Sequence, residues 1–231
     1  MKKIDKKAYD GNENRIESVL SSINHDIVSH NVKNIPPWIE TYHLTALTYV
    51  WTVLVIIGAM LSTYSIFAVW ICTFALVGHI ITDAFDGALG RYRKTGLVKW
   101  GYYMDHFGDY LLSGALIVSF RLIEPQLNEH LIMFMIIIVT GYFIHSLLAT
   151  VTLGRYEMTF FKLFSPLEGQ IGYALLYLAV IMAGRNILLY MVPIAFIITS
   201  GGLFYLVAQT ANKLWKVDMK NKLRTTRKKS K

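Results

Sequence analysis

Stretches of about twenty apolar residues recur along this chain, and they constrain its fold more tightly than any other feature of the sequence. Twenty helical residues span roughly 30 Å, the hydrocarbon thickness of a bilayer. Within that layer backbone amides find no water, so a helix, which pairs them internally, is the structure such runs adopt. Six spans are predicted, over residues 43–64, 66–84, 104–121, 131–152, 166–184 and 186–209. The fifth reaches spanning length by starting at Pro166, which puts Glu168 in its first turn, where a carboxylate suits the helix dipole. With 54% of its 231 residues hydrophobic and 16% charged, the chain reads as an all-α integral membrane protein with one membrane domain, and a soluble fold is excluded.

Charge placement orients the spans. Of 23 Lys and Arg residues, six precede the first span, four lie between the second and third, two between the fourth and fifth, and nine follow the sixth. Only Arg121 and Arg185 fall on the other side. That asymmetry puts both termini in the cytoplasm. The net charge of +8 is therefore mostly topology and attraction to lipid headgroups, and no basic groove with interleaved aromatics points to nucleic acid. The chain carries one cysteine, Cys72, read as a small buried hydrophobe. The polar N-terminus predicts no cleavable signal peptide. The membrane is the inner membrane of a prokaryotic cell or the endoplasmic reticulum of a eukaryotic one.

Three regions are expected: a cytoplasmic segment 1–42, a six-span membrane domain 43–212 and a basic tail 213–231. In the first, Ile16, Val19, Leu20, Ile23 and Ile27 recur at helical spacing and predict an N-terminal amphipathic helix lying at the membrane surface. Ile35-Pro36-Pro37-Trp38 then breaks it, with Trp38 suited to the headgroup layer. The tail reads as a basic helix grading into disorder. The cytoplasmic connections are longer than the external ones and carry the conspicuous polar residues, so function is expected on that face.

Four aspartates, Asp83, Asp86, Asp105 and Asp109, sit at the cytoplasmic ends of the second and third spans. Carboxylates at membrane depth are costly and persist where they bind ions, carry protons or do chemistry. Asp83 and Asp86 share one helix face with Gly87 and Gly90, and Gly101, Asp105 and Asp109 share another. Two antiparallel helices thus present four carboxylates to one another. Such a group would not stay fully ionised alone, and hard divalent cations, Mg²⁺, Mn²⁺ or Ca²⁺, are the natural complement. Two metals would clamp a phosphate-bearing substrate, the glycines admit its pyrophosphate, and Arg91 offers bidentate contact to a phosphate oxygen. A divalent-cation transporter also puts acids in a membrane, but it leaves Arg91 and the glycines unexplained.

The pattern Asp-x-x-Asp-Gly-x-x-Gly-Arg, then Gly-x-x-x-Asp-x-x-x-Asp, resembles the signature of the CDP-alcohol phosphatidyltransferases, with eight fixed positions in 27 residues. Gly90 stands where that family usually has Ala, and the spacer before Gly101 is one residue longer. The resemblance implies that Asp83, Asp86, Asp105 and Asp109 ligate two ions, Mg²⁺ or Mn²⁺, and that Asp109 is also the general base. Gly87, Gly90, Arg91 and Gly101 would border the CDP moiety. A hydroxyl would attack the phosphorus distal to cytidine, CMP would leave, and the enzyme would be a homodimer.

The family divides by substrate. Asp105-His106 before Asp109, and Pro166-Leu167-Glu168-Gly169, resemble stretches of choline and ethanolamine phosphotransferases, in which a CDP-aminoalcohol donates to diacylglycerol. This marks Glu168 as a candidate headgroup-side residue. Tyr110 stands where members using glycerophosphate generally carry Lys. The alternative is a CDP-diacylglycerol-dependent enzyme acting on a small polar alcohol. His79, one turn before Asp83, is expected to orient it or to be merely hydrogen-bonded in the bundle.

Overall fold

The structure is a computed structural model that describes residues 27–95, 97–153 and 166–229, the side chains of Val98 and residues 220–229 excepted. Among the described residues there is no β-strand, and six long helices follow one another: α1 (Thr41–Leu61), α2 (Val69–Arg93), α3 (Val98–Ile123), α4 (Glu129–Leu153), α5 (Pro166–Ala183) and α6 (Leu188–Lys229). They match the six apolar runs in order and place. The predicted surface helix lies outside the described residues, except for its last residue, Ile27.

Five of the six helices are long and apolar enough to cross a membrane. The exception is α3, whose Asp105, His106, Asp109 and Arg121 dilute its apolar character. Two boundaries differ from expectation. Helix α2 continues through the Asp/Gly segment to Arg93 and stops where Lys94 takes a left-handed conformation (φ 53°), its N–H returning to Arg91 O and Gly90 O. Polarity ends the apolar run at residue 84, but it does not end the helix. Helix α6 is continuous for 42 residues, roughly 63 Å at about 1.5 Å per residue, so the basic tail is helical to Lys229.

Helix α1 starts at Glu40, whose side chain accepts the N–H of His43 while the His43 ring accepts that of Glu40. It then lies against both α2 and α3, which have little direct contact with one another. Small residues let it lie that close. A methyl group on Gly58 would come within 2.8 Å of Cys72 Sγ, and one on Gly108 within 2.9 Å of Thr48 Cγ2. With lipid as apolar as the side chains, this close packing and the hydrogen bonds between helices hold the bundle together. Trp51 Nε1 donates to Thr82 Oγ1 at 3.1 Å, and the Tyr49 hydroxyl to Met104 O at 3.3 Å. Cys72 is fully buried as expected, its thiol directed at Val55 O (3.3 Å).

The main core, with Leu76, Leu112, Leu116, Phe120, Tyr177 and Leu188 at its centre, fills one half of the bundle. Inside it Tyr177 and Ser119 share a 2.6 Å hydrogen bond, which joins α5 to α3. A second, small cluster of Val32, Leu44 and Leu89 lies at the other end, under a hook formed by residues 32–40. Arg93 secures that hook, donating to Ile39 O, to Ile35 O at 3.0 Å and to Pro36 O at 3.0 Å. The four aspartates lie between these two apolar regions.

Candidate active site

Asp86 is the most enclosed of the four aspartates, 6% exposed, and it faces α1. There the Thr45 hydroxyl donates to its Oδ2 at 2.5 Å. Thr45 belongs to a stripe of Thr41, Thr45, Thr48 and Thr52, spaced four, three and four apart on an otherwise apolar helix. That stripe is the sequence signal that points to Thr45, and motif reading alone passes over it. Thr41 packs against Gly90, where an added methyl would sit 3.6 Å from its side chain, an ordinary contact. The substitution of glycine for the family's alanine at this position therefore leaves the packing undisturbed.

Asp105 projects from α3 within hydrogen-bonding reach of Asp83 and into the field of Asp109 and Asp86. Asp83 and Asp109 come within ligand distance of one another together with His79, Asp105 adjoins them, and Asp86 turns to Thr45. Asp109 lies one turn further along α3, with one oxygen, Oδ1, buried and without a hydrogen bond among the described residues. His79 Nε2 is 3.3 Å from that oxygen, and one donor atom from each of His79, Asp83 and Asp109 lies within 4.8 Å of the others. His79, expected to orient Asp83 or to be merely hydrogen-bonded in the bundle, stands near both Asp83 and Asp109, which α3 brings to the level of the turn below Asp83.

Such a donor set fits a divalent cation. Two carboxyl groups at hydrogen-bonding distance must share a proton or a cation, and a buried carboxylate oxygen without a donor is costly unless an ion meets it. Oxygen ligands at this density favour hard ions such as Mg²⁺ and Mn²⁺. His106 lies at the edge of the group: its Nδ1 is 2.9 Å from Tyr102 O and 3.6 Å from Asp105 Oδ2.

The residues expected around the substrate surround the acids unevenly. Arg91 is exposed and folds back over Gly87, its Nη1 3.3 Å from where a β-carbon would be. No described atom beyond its chain neighbours would lie within 4 Å of a β-carbon at Gly101, nor of one at Gly169. Glu168 is half-buried in the first turn of α5, two residues before Gln170, whose Nε2 lies 3.2 Å from His79 Nε2. Gln170 carries no motif and was missed; only the packing of α5 across α2 reveals it. Tyr110 turns away toward α4, its hydroxyl 3.3 Å from Thr140 Oγ1 and its ring edge-on to Phe143.

No curated protein matches the chain. The family model described as CDP-alcohol phosphatidyltransferase matches residues 39–211, from the hook before α1 into α6. That match gives the cation-transporter alternative no support. It covers every helix that shapes the acidic cluster. The chain therefore belongs to the CDP-alcohol phosphatidyltransferase family, membrane enzymes of phospholipid synthesis that transfer substituted phosphate groups.

Proposed function

We propose that the protein transfers a phosphoaminoalcohol, phosphoethanolamine or phosphocholine, from its CDP-linked donor to the hydroxyl of diacylglycerol, releasing CMP. The observation that supports this reading is the approach of Asp83, Asp105 and Asp109 to one another, with an Asp109 oxygen that makes no hydrogen bond among the described residues. In this account Asp83, Asp86, Asp105 and Asp109 hold two ions, Mg²⁺ or Mn²⁺. The ions supply neutralisation of the pyrophosphate and of the charge that develops on the leaving phosphate.

The protein's residues do the rest. Arg91, over Gly87, meets a phosphate oxygen of the CDP moiety, and Gly90 and Gly101 admit the nucleotide. Asp109 accepts the proton of the acceptor hydroxyl as its oxygen bonds to the phosphorus distal to cytidine. The bond from that phosphorus to the bridging oxygen breaks, and CMP carries the electron pair away. Glu168, at the mouth of α5, faces the cationic headgroup. The Asp105-His106 pair and the Pro166-to-Gly169 stretch favour the aminoalcohol branch, and the commitment of Tyr110 to α4 speaks against glycerophosphate as acceptor.

We also read α3 as the sixth span. Its 26 residues suffice for a bilayer, and its polar positions line the site. Residues 43–212 then form the membrane domain, the site faces the cytoplasm, and two copies assemble as a homodimer.

Purified protein given CDP-ethanolamine or CDP-choline with diacylglycerol and Mg²⁺ or Mn²⁺ is expected to release CMP. Release only with CDP-diacylglycerol and a small alcohol moves the protein to the other branch. No CMP from any pair refutes the reading.

A further inference from the structure

We propose that His79 is itself a metal ligand, so that the more deeply placed of the two ion positions is a mixed nitrogen–oxygen centre formed by His79, Asp83 and Asp109. This rests on the two-metal reading above and adds a nitrogen donor to its four carboxylates.

His79 is fully buried on α2, one turn deeper than Asp83. Its Nε2 approaches Asp109 Oδ1 to 3.3 Å, yet that oxygen makes no hydrogen bond among the described residues. The two atoms are near but not aligned as donor and acceptor. Ligands of one ion have that relation, each directed at a common point. Donors bound to one first-row ion at about 2.1 Å lie about 3 Å apart when adjacent and about 4.2 Å apart when opposed. The three donor atoms lie within 4.8 Å of one another, a limit a little wider than that range.

His79 Nδ1 has no hydrogen-bond partner among the described residues, so the polar contacts of the ring are made through Nε2, which both Asp109 Oδ1 and Gln170 Nε2 approach, at 3.3 and 3.2 Å. A neutral ring protonated at Nδ1 would turn the Nε2 lone pair toward the carboxylate oxygens, an arrangement that a cation reconciles. Imidazole is a poorer ligand for Mg²⁺ than for Mn²⁺, so this position selects Mn²⁺ over Mg²⁺.

The test is electron spin echo envelope modulation on the purified full-length protein loaded with Mn²⁺, alongside Mn²⁺ affinity and CMP release. A directly coordinated ¹⁴N is expected in the wild type, kept in His106→Gln and lost in His79→Gln, whose Mn²⁺ affinity should fall about tenfold or more. Bound Mn²⁺ with CMP release but no ¹⁴N coupling in the wild type overturns the assignment of His79 and leaves the proposed function standing. The same holds if the coupling survives in His79→Gln. A protein that binds no Mn²⁺ overturns this inference, and one that also releases no CMP overturns the function as well. The wild-type spectrum decides the question even if His79→Gln fails to fold.

Discussion

Replacing Thr45 with valine removes one hydroxyl from α1 and leaves the shape of the residue nearly intact. That hydroxyl is also 3.2 Å from Thr41 O, but its single proton goes to the shorter, charged contact with Asp86 Oδ2 at 2.5 Å. A hydrogen bond to a charged group contributes about 1.5–3 kcal/mol. Asp86 is 6% exposed, so solvent does little to replace what is lost. At about 1.4 kcal/mol per factor of ten, Thr45→Val should weaken divalent-ion binding roughly 10- to 100-fold. Hydrogen bonds between membrane helices average nearer to 0.6 kcal/mol, which still gives about threefold. Thr45→Ser keeps the donor and should retain most of the affinity. Mn²⁺ binding to the purified protein, followed by the signal of the free ion, measures both variants. An affinity for Thr45→Val within twofold of wild type would refute the reasoning and show that Asp86 is held by something other than α1.

Three further outcomes are expected. Gly108→Ala puts a methyl group 2.9 Å from Thr48 Cγ2 and should destabilise the bundle by about 1–3 kcal/mol; Thr48→Ser should restore the melting temperature, and failure of that rescue would place the strain elsewhere. Arg93→Lys replaces a planar donor serving three carbonyls with a single ammonium, so amide hydrogen exchange across residues 35–43 should accelerate; unchanged exchange would mean that the hook is held by its apolar cluster alone. Tyr177→Phe removes the 2.6 Å bond to Ser119 in a fully buried core and should cost about 0.5–1.5 kcal/mol by thermal unfolding in detergent; equal stability would show that Ser119 is satisfied by Leu116 O, also 2.6 Å away.

What the sequence reveals of this protein follows from how local each signal is. The apolar runs locate six helices because hydrocarbon thickness sets their length, and the aspartate spacing identifies the two faces because 3.6 residues per turn sets their register. The end of α2 is misplaced by nine residues, since a polar segment can leave the lipid without leaving the helix. Tertiary partners are not local signals. That α1 rather than α3 lies along α2 depends on Gly58 and Gly78 meeting Cys72 and Trp51, and no periodicity encodes that pairing. Likewise Thr45, Gln170 and the approach of His79 to Asp109 come from helix crossings, so they emerge only once the bundle is assembled.

The position of α1 between α2 and α3 makes it the jig on which the two halves of the site are set. Asp83 and Asp86 take their place from one side of it, Asp105 and Asp109 from the other. The loop joining the two motif halves has no lever on the spacing of the acids. An insertion between α2 and α3 is therefore expected to leave the carboxylates in place, because each pair is set by its own helix against α1.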